Sequence, residues 1–496
     1  MEKKKKYSFL TTLILGILLV IGFFYRVFGL DANYSFWTDE NHVAIFVRAI
    51  LERGEPVLSN GYSSGVYQWL QYWISAISAS LLGLNEFAIR FPSVFFGVLT
   101  ILAIYLLGKE IFNRKVSLLS VFFVTFLNIE ILFSRQARPY QALQFFYLLG
   151  FYFIYKLVKE KKFNWRYFLG FLGCGILASL MHGLGLIIFF SGFVYLLIFK
   201  ASYFKKKWML LGILLFLILG YIFRVPIFSV FSQIGKTNNL FYYRVFLVHN
   251  YLLFCLTALI GGLLLAWRKN YRVLFLFSII LGVQVVIVSY FLPQPFTRYL
   301  YPIFGFIIIL SAYGLESLSI FLSSIFKKNQ YLQIAILILL TCLVVMPNNK
   351  FTFIPKLFYS LNADMQEVPE VDWKKVYGVV GDKRKQNPDA ILVTNWSDLP
   401  VWYLGEGKPD FLVRKDVGTE KDIFSKAMIL SDLNNFRELV KNKKKGLIII
   451  DSWDDQVPDG IREFCRDNFK KELEIDRLYP TQPRYWPVSV YSWGVL

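Results

Sequence analysis

Acidic side chains are scarce through most of this chain. Residues 1–347 hold 11 Asp and Glu against 31 Lys and Arg, whereas residues 348–496 hold 23 of each. Charge of either sign is thin overall, at 18% of 496 residues, below the roughly 25% of a soluble domain. That shortage disfavours a soluble globular enzyme. A formal net charge of +20 would in a soluble protein suggest nucleic acid. Here the whole excess lies in the hydrophobic portion, as in the cytoplasmic loops of a multispanning membrane protein, so no nucleic-acid partner is expected. Cysteine is rare too, with four residues. Cys174, Cys255 and Cys342 lie in apolar runs and Cys465 is alone in the polar tail, which reads as packing rather than a disulfide framework. No G-x-G-x-x-G or phosphate-binding loop follows a strand-like run, so nothing points to a nucleotide.

What the chain has in quantity is long apolar segments. Runs of spanning length fall near 8–28, 92–112, 115–132, 138–158, 166–181, 184–200, 208–224, 250–267, 272–291, 299–322 and 330–347,. The first follows Lys3–Lys6, lacks a small-residue cleavage site and leads into further spans, so it reads as a retained span. Segment 66–83 carries Gln68, Gln71 and several Ser and Trp residues and reads as an interfacial or re-entrant helix. If it does not cross, the clusters Lys109/Arg114/Lys115, Lys156–Arg166, Lys200–Lys207, Arg268/Lys269/Arg272 and Lys327/Lys328 all fall on the cytoplasmic side. If it crosses, all five violate the positive-inside rule. The expectation is an α-helical multispanning membrane protein of eleven spans, within a range of about 11–13, in the cytoplasmic membrane. Its transmembrane domain is 1–347, with a long first outer loop at 31–65. By parity the tail, 348–496, lies outside. It reads as an extracytoplasmic soluble α/β domain, with strand-like Ala390–Thr394 and Gly446–Asp451 alternating with helical Asp432–Lys445 and Gly460–Phe469,.

On this topology the residues capable of chemistry collect at the outer face. A transporter would hold them near the midplane on broken helices. Asp39 and Glu40 open a stretch to Glu52 with helical spacing, suited to lying on the bilayer. Two successive carboxylates there are either a helix cap and dipole partner or a general base with an orienting neighbour. Arg135 and Arg138, in Ser134-Arg-Gln-Ala-Arg-Pro-Tyr140, are three apart and on one side of a helix turn. They are either interfacial anchors or a fork for phosphate oxygens. Arg298-Tyr299 after Pro293-Gln-Pro-Phe-Thr is similar. His182, in Met181-His-Gly-Leu-Gly185, is a cap on a tight turn, a metal ligand or a phosphate contact. Glu130 and Tyr140 complete the candidates.

Taken in order, these motifs resemble the integral-membrane GT-C glycosyltransferases. Within them they resemble the glycosyltransferase family 39 group, related to protein O-mannosyltransferases and lipid A aminoarabinose transferases. The resemblance rests on Trp37-Thr-Asp-Glu40, Asn85-Glu-Phe-Ala-Ile-Arg-Phe-Pro92, Arg135-Gln-Ala-Arg-Pro-Tyr140, Met181-His182 and Thr297-Arg-Tyr-Leu-Tyr-Pro302. It covers roughly residues 7–350.

The resemblance implies a polyprenyl-phosphate-linked sugar as donor, membrane lipids as surroundings and an acceptor of unassigned class. Transfer would occur at the outer face of the cytoplasmic membrane. It places Asp39 at the catalytic position and Arg138 and Arg298 at the donor phosphate; from the residues themselves, Glu40 joins Asp39 as a catalytic candidate, and Arg135 and Tyr299 join the phosphate candidates. His182 falls near a polar site residue of the family, and Tyr140 and Glu130 remain further candidates. One stretch departs from the pattern. Where relatives carry an acidic or polar residue before Lys-Pro-Pro or Pro-Pro, this chain reads Asn60-Gly-Tyr-Ser-Ser-Gly-Val-Tyr67. No cofactor is therefore assigned, and a divalent metal ion stays open. The rival readings are a flippase or exporter of lipid-linked sugars and a membrane-anchored binding module.

Overall fold

A computed structural model describes residues 2–31, 35–36, 38–65, 68–205, 207–222, 224–225, 228, 236–325, 329–346, 350–357, 359, 371–415, 418–476 and 486–494. Trp37, Val66, Tyr67, Lys327, Lys328 and the junction at 347–348 lie outside the described residues. Contacts divide the chain into two compact units that are not continuous in sequence. The first comprises residues 1–30, 66–71 and 90–361, the second residues 31–65, 72–89 and 362–496.

The helices up to the tail are α1 (Glu2–Val27), α2 (Thr38–Arg53), α3 (Trp69–Leu82), α4 (Glu86–Ile111), α5 (Arg114–Phe126), α6 (Asn128–Ser134), α7 (Tyr140–Lys159) and α8 (Trp165–Met181). They continue with α9 (Leu186–Lys200), α10 (Lys207–Ile222), α11 (Leu240–Trp267), α12 (Tyr271–Tyr290), α13 (Thr297–Leu300), α14 (Phe304–Ile325) and α15 (Gln330–Val345). Among the described residues, seven helical segments are long and apolar enough to cross a membrane. They are Phe9–Val27, Glu86–Ile111, Tyr140–Lys159, Gly183–Lys205, Leu240–Trp267, Tyr271–Tyr290 and Thr297–Ile325. Trp165–Met181, Met209–Ile222 and Gln330–Val345 are shorter apolar helices. The chain is a multi-pass membrane protein. Among the described residues of segment 66–83, helix is confined to the 14 residues of α3, about 21 Å, which is short of the roughly 30 Å hydrocarbon layer.

The run at 115–132 is not one continuous helix. Asn113 caps α5, its side chain accepting from the Lys115 and Val116 N–H groups, and α5 ends after 13 residues where Leu127 turns extended (φ −76, ψ 126). The chain then restarts as α6. Breaking a helix frees backbone groups that lipid cannot satisfy, and residues 350–352 take them. Leu127 bridges to Phe351, the Asn128 N–H donates to the Lys350 carbonyl at 2.7 Å, and the Thr352 N–H donates to that of Phe126 at 2.9 Å.

α11 and α14 approach closely because glycines face each other. A Cβ on Gly261 would lie 2.5 Å from the Leu310 carbonyl oxygen, and one on Gly314 would overlap the Thr257 carbonyl. The Thr257 and Ser311 hydroxyls, 2.6 Å apart, join the same seam. Small residues with an interhelical hydrogen bond are what lets helices associate in lipid.

In the second unit the tail forms a six-stranded mixed sheet of β1 (Ile391–Thr394), β2 (Phe411–Val413), β3 (Met428–Leu430), β4 (Gly446–Asp451), β5 (Lys470–Ile475) and β6 (Val488–Trp493), in the order β3-β2-β1-β4-β6-β5. The first four are parallel, while β6 runs antiparallel to β4 and β5. Its helices are α16 (Trp373–Gln386), α17 (Asp398–Leu404), α18 (Leu433–Asn442) and α19 (Ile461–Asn468). Alternation along β4 serves both faces. Ile448 and Ile450 pack with Phe436, Ile461 and Cys465, and Leu447 and Ile449 with Val376, Tyr377 and Leu399.

Replacing Gly314 by leucine should lower the stability of detergent-solubilised protein by about 1–3 kcal/mol, read as a lower Tm and a reduced monodisperse yield. Gly262, whose added Cβ meets nothing within 4 Å, is the control, and leucine there should be tolerated.

Candidate active site

The expected arginine pair does not share a helix face. α6 stops at Ser134 and α7 starts at Tyr140, so Arg135 and Arg138 lie on the non-helical link between them. Pro139 favours this break, since the residue before a proline avoids the helical region. The two side chains take different partners. Arg135 Nη1 donates to the carbonyls of Tyr25, Arg26 and Phe28 at 3.3, 3.2 and 2.7 Å, and its Nη2 to those of Gly29 and Leu357 at 3.4 and 3.0 Å. It therefore closes the C-terminal end of α1, where carbonyls lack intrahelical partners and a cation meets the dipole. Both terminal nitrogens serve the protein's own backbone.

Arg138 is buried in a different setting. Its Nη2 lies 3.4 Å from the Tyr140 hydroxyl and its guanidinium 5.2 Å from the Tyr140 ring centre. Tyr140 faces His182 (centroids 5.4 Å), and His182 faces Tyr299 (6.0 Å). Arg298 sits 3.7 Å over the Phe296 ring and 5.5 Å from that of Tyr299. Thus Arg138 on the α6–α7 link, Tyr140 at the start of α7, His182 on the α8–α9 link, and Arg298 and Tyr299 in the short α13 come together. His182 also caps its turn, accepting from the Leu184 N–H at Nδ1 over 3.2 Å. A Cβ on Gly185 would strike the backbone of Ala178 and Ser179, so glycine permits that turn. Burial first, and then the charges of Arg138 and Arg298, push His182 down to about 3. A neutral imidazole between two buried guanidinium groups is a donor-rich surface suited to an anion.

Glu130 lies in a neighbouring buried network. Its Oε1 accepts from Gln144 Nε2 at 2.9 Å, and its Oε2 from the Tyr301 hydroxyl at 2.9 Å. Gln141 Oε1 is 2.6 Å from that hydroxyl and 2.9 Å from Ser134 Oγ, which in turn accepts from Arg26 Nε at 2.9 Å. Of this network, only Glu130 is among the residues expected from the sequence. The signal for the rest was Gln141 and Gln144, three apart in an apolar run and hence on one helix face.

Asp39 and Glu40 belong to the second unit, in the first turn of α2. The apolar face expected on the bilayer is instead buried in protein, with Val43, Ala44, Phe46 and Val47 fully covered. His42 packs edge-on to Phe424 at 5.4 Å, and Phe46 packs on Tyr72 at 5.1 Å. The segment departing from the relatives' pattern forms a turn closed by the Val57–Ser63 bridge. Asn60 Nδ2 donates there to the Ile423 and Phe424 carbonyls at 3.2 and 2.5 Å. Asp398, at the start of α17, went unnoticed in the sequence because no periodicity marks it. Burial, reinforced by the charges of Asp39 and Asp422, raises it to about 7. Among the described residues no cluster of three or more His, Cys, Asp or Glu is arranged to hold a metal ion, so no step is derived through one. A cavity of about 540 Å³ in this unit, lined by Asp31, Asn85, Glu86, Phe87, Lys374 and Trp402, contains none of the expected site residues.

Residues 69–223 match the family described as dolichyl-phosphate-mannose-protein mannosyltransferase. An uncharacterised protein of Aquifex aeolicus (strain VF5) is 30% identical over 154 residues, and the match spans 30% of each chain. The crystal structure of ArnT from Cupriavidus metallidurans superposes with a TM-score of 0.63 over 98% of both chains at 14% identity. Archaeal AglB from Archaeoglobus fulgidus, an oligosaccharyltransferase, gives 0.56 over 90% of this chain and 70% of its own, also at 14%. The chain has the GT-C fold. The resemblance read from the short motifs of this GT-C chain therefore holds for its architecture.

Two outcomes follow from the contacts. Arg135→Ala strips the end of α1 of its buried donor and should cost on the order of 3 kcal/mol of stability, read as a lowered Tm. The raised Asp398 carboxyl binds its proton more tightly folded than unfolded. Its contribution is therefore present at acid pH and is lost as pH rises from about 4 to about 7,. Asp398→Asn should flatten that part of the Tm–pH profile. A profile identical to wild type would contradict it.

Proposed function

We propose that this GT-C protein is a glycosyltransferase that moves a sugar from a polyprenyl-phosphate donor to an acceptor at the outer face of the cytoplasmic membrane. The carrying observation is the convergence of Arg138 and Arg298 on neutral His182 among Tyr140 and Tyr299. Two buried guanidinium groups beside aromatic rings suit a lipid phosphate better than a lysine site would, because the planar fork matches its oxygens. Solved structures show ArnT bound to undecaprenyl phosphate and AglB in complex with an inhibitory peptide and a dolichol-phosphate, which supports a lipid phosphate as the leaving group here. The tail is read as the extracytoplasmic domain from loop charge.

The reaction is a single inverting displacement. The acceptor oxygen or nitrogen forms a bond to the sugar C1 as the bond from C1 to the phosphate oxygen breaks. The acceptor proton passes to the Asp39 carboxylate, with Glu40 beside it in the first turn of α2. Charge grows on the departing phosphate, where Arg138 and Arg298 stabilise it. Arg135 has no part in this step, since its donors hold α1.

In proteoliposomes with a panel of undecaprenyl-phosphate-linked hexoses and pentoses, wild-type protein should consume at least one donor. Asp39→Asn should lose roughly 10²–10⁴-fold in kcat while remaining folded. Arg138→Ala or Arg298→Ala should weaken donor use roughly 10- to 100-fold, the worth of a charge-assisted hydrogen bond. Near-normal transfer by Asp39→Asn would reject the base assignment. Transport of a lipid-linked sugar without any covalent product would reject the transferase reading.

A further inference from the structure

α2 carries the proposed base at its start, yet a 16-residue helix has little stability or fixed direction on its own. What it docks against decides where Asp39 stands. Within the second unit that support is α17. Arg48, about 13 Å along the helix from Asp39, sends Nη1 to the Val401 carbonyl at 3.0 Å and Nη2 to that of Trp402 at 2.8 Å. These carbonyls belong to the last turn of α17, where backbone acceptors lack helical partners and the dipole end is negative. α17 ends at Gly405, whose φ of +99 suits glycine,.

The guanidinium also lies 4.5 Å over the Trp402 ring. From the other end, Phe36, just ahead of α2, packs on Trp402 with centroids 5.4 Å apart. One tryptophan on α17 is thus gripped from before the start of α2 and from near its end. Such a two-point contact fixes both the helix direction and its rotation. Arg53, five residues further on, makes a different interaction. Its 2.6 Å ion pair with Glu406 is more open, with 30% of the Arg53 side chain exposed, and pairs of that kind contribute little.

We propose that Arg48 is a positioning residue for the Asp39 carboxylate, acting through its paired hydrogen bonds to the last turn of α17. The C-terminal α/β fold then serves to aim the base, beyond any role in admitting the acceptor. This inference rests on the assignment of Asp39 as base.

The test uses the full chain in proteoliposomes with the undecaprenyl-phosphate-linked sugar that wild-type protein consumes. Arg48→Ala should lower kcat roughly 10- to 100-fold, since a displacement of about 1 Å at a reacting group costs up to 10²-fold. Donor KM should stay within about twofold, because donor binding is assigned elsewhere. Arg48→Lys, which keeps the charge but not the fork, should recover part of the loss, and Arg53→Ala should match wild type. Added guanidinium ion should restore part of the kcat of Arg48→Ala and none of that of Asp39→Asn. If Arg48→Ala does not purify as a monodisperse species, Arg48→Lys decides alone: reduced kcat at unchanged donor KM supports the proposal, and wild-type kcat overturns it. Wild-type kcat in Arg48→Ala, or an equal loss in Arg53→Ala, also overturns it. An active Asp39→Asn would instead remove the base assignment itself.

Discussion

A polar group enclosed in an apolar membrane unit must find its partner within the protein, because lipid offers none. Much of the first unit is arranged by that constraint. The end of α1 has bare carbonyls, and Arg135 reaches in to hold them. The break at Leu127 exposes backbone groups, and residues 350–352 run alongside to pair with them. Glu130 is buried with Gln144, Tyr301 and, through Ser134, Arg26 within one network. Each satisfied group pins one element to another, so polar pairing does the organising that hydrophobic burial alone cannot do between helices in lipid.

The same constraint bears on the two arginines of the aromatic cluster. Arg138 and Arg298 are buried among aromatic rings rather than around helix ends. With His182 held neutral nearby, the cluster is rich in donors. Such a donor-rich surface suits an anion. Arg138 and His182 sit on links that lead into the long helices α7 and α9, and Arg298 sits in the short α13.

Much of this was legible in the chain itself. Apolar runs located the long helices, since a stretch of about 20 apolar residues has few other uses. In the tail, alternating β-rich runs located β1 and β4, and amphipathic stretches located α18 and α19 within a few residues. The motifs around Arg138, His182 and Arg298 pointed to residues that do converge. Less was legible at 115–132, because apolar composition does not reveal a break whose backbone groups are paired by residues more than 200 positions away. The strands β2, β3, β5 and β6 were also missed, being short or lacking a turn signal.

By itself, then, the sequence determined which segments are apolar enough to leave water and which residues carry charge among them, since both follow from local composition. Only the tertiary structure decided what each charge does. Arg135 and Arg138 are three residues apart and chemically identical, yet one closes a helix and the other joins the aromatic cluster with His182. Their difference lies in which carbonyls and rings the fold brings within about 3 to 6 Å of each guanidinium. The carboxylates at the start of α2 follow the same rule. Their residue type was readable, while Asp398 and the Arg48 clamp, which shape their surroundings, come from residues hundreds of positions away or from a contact that spacing does not encode.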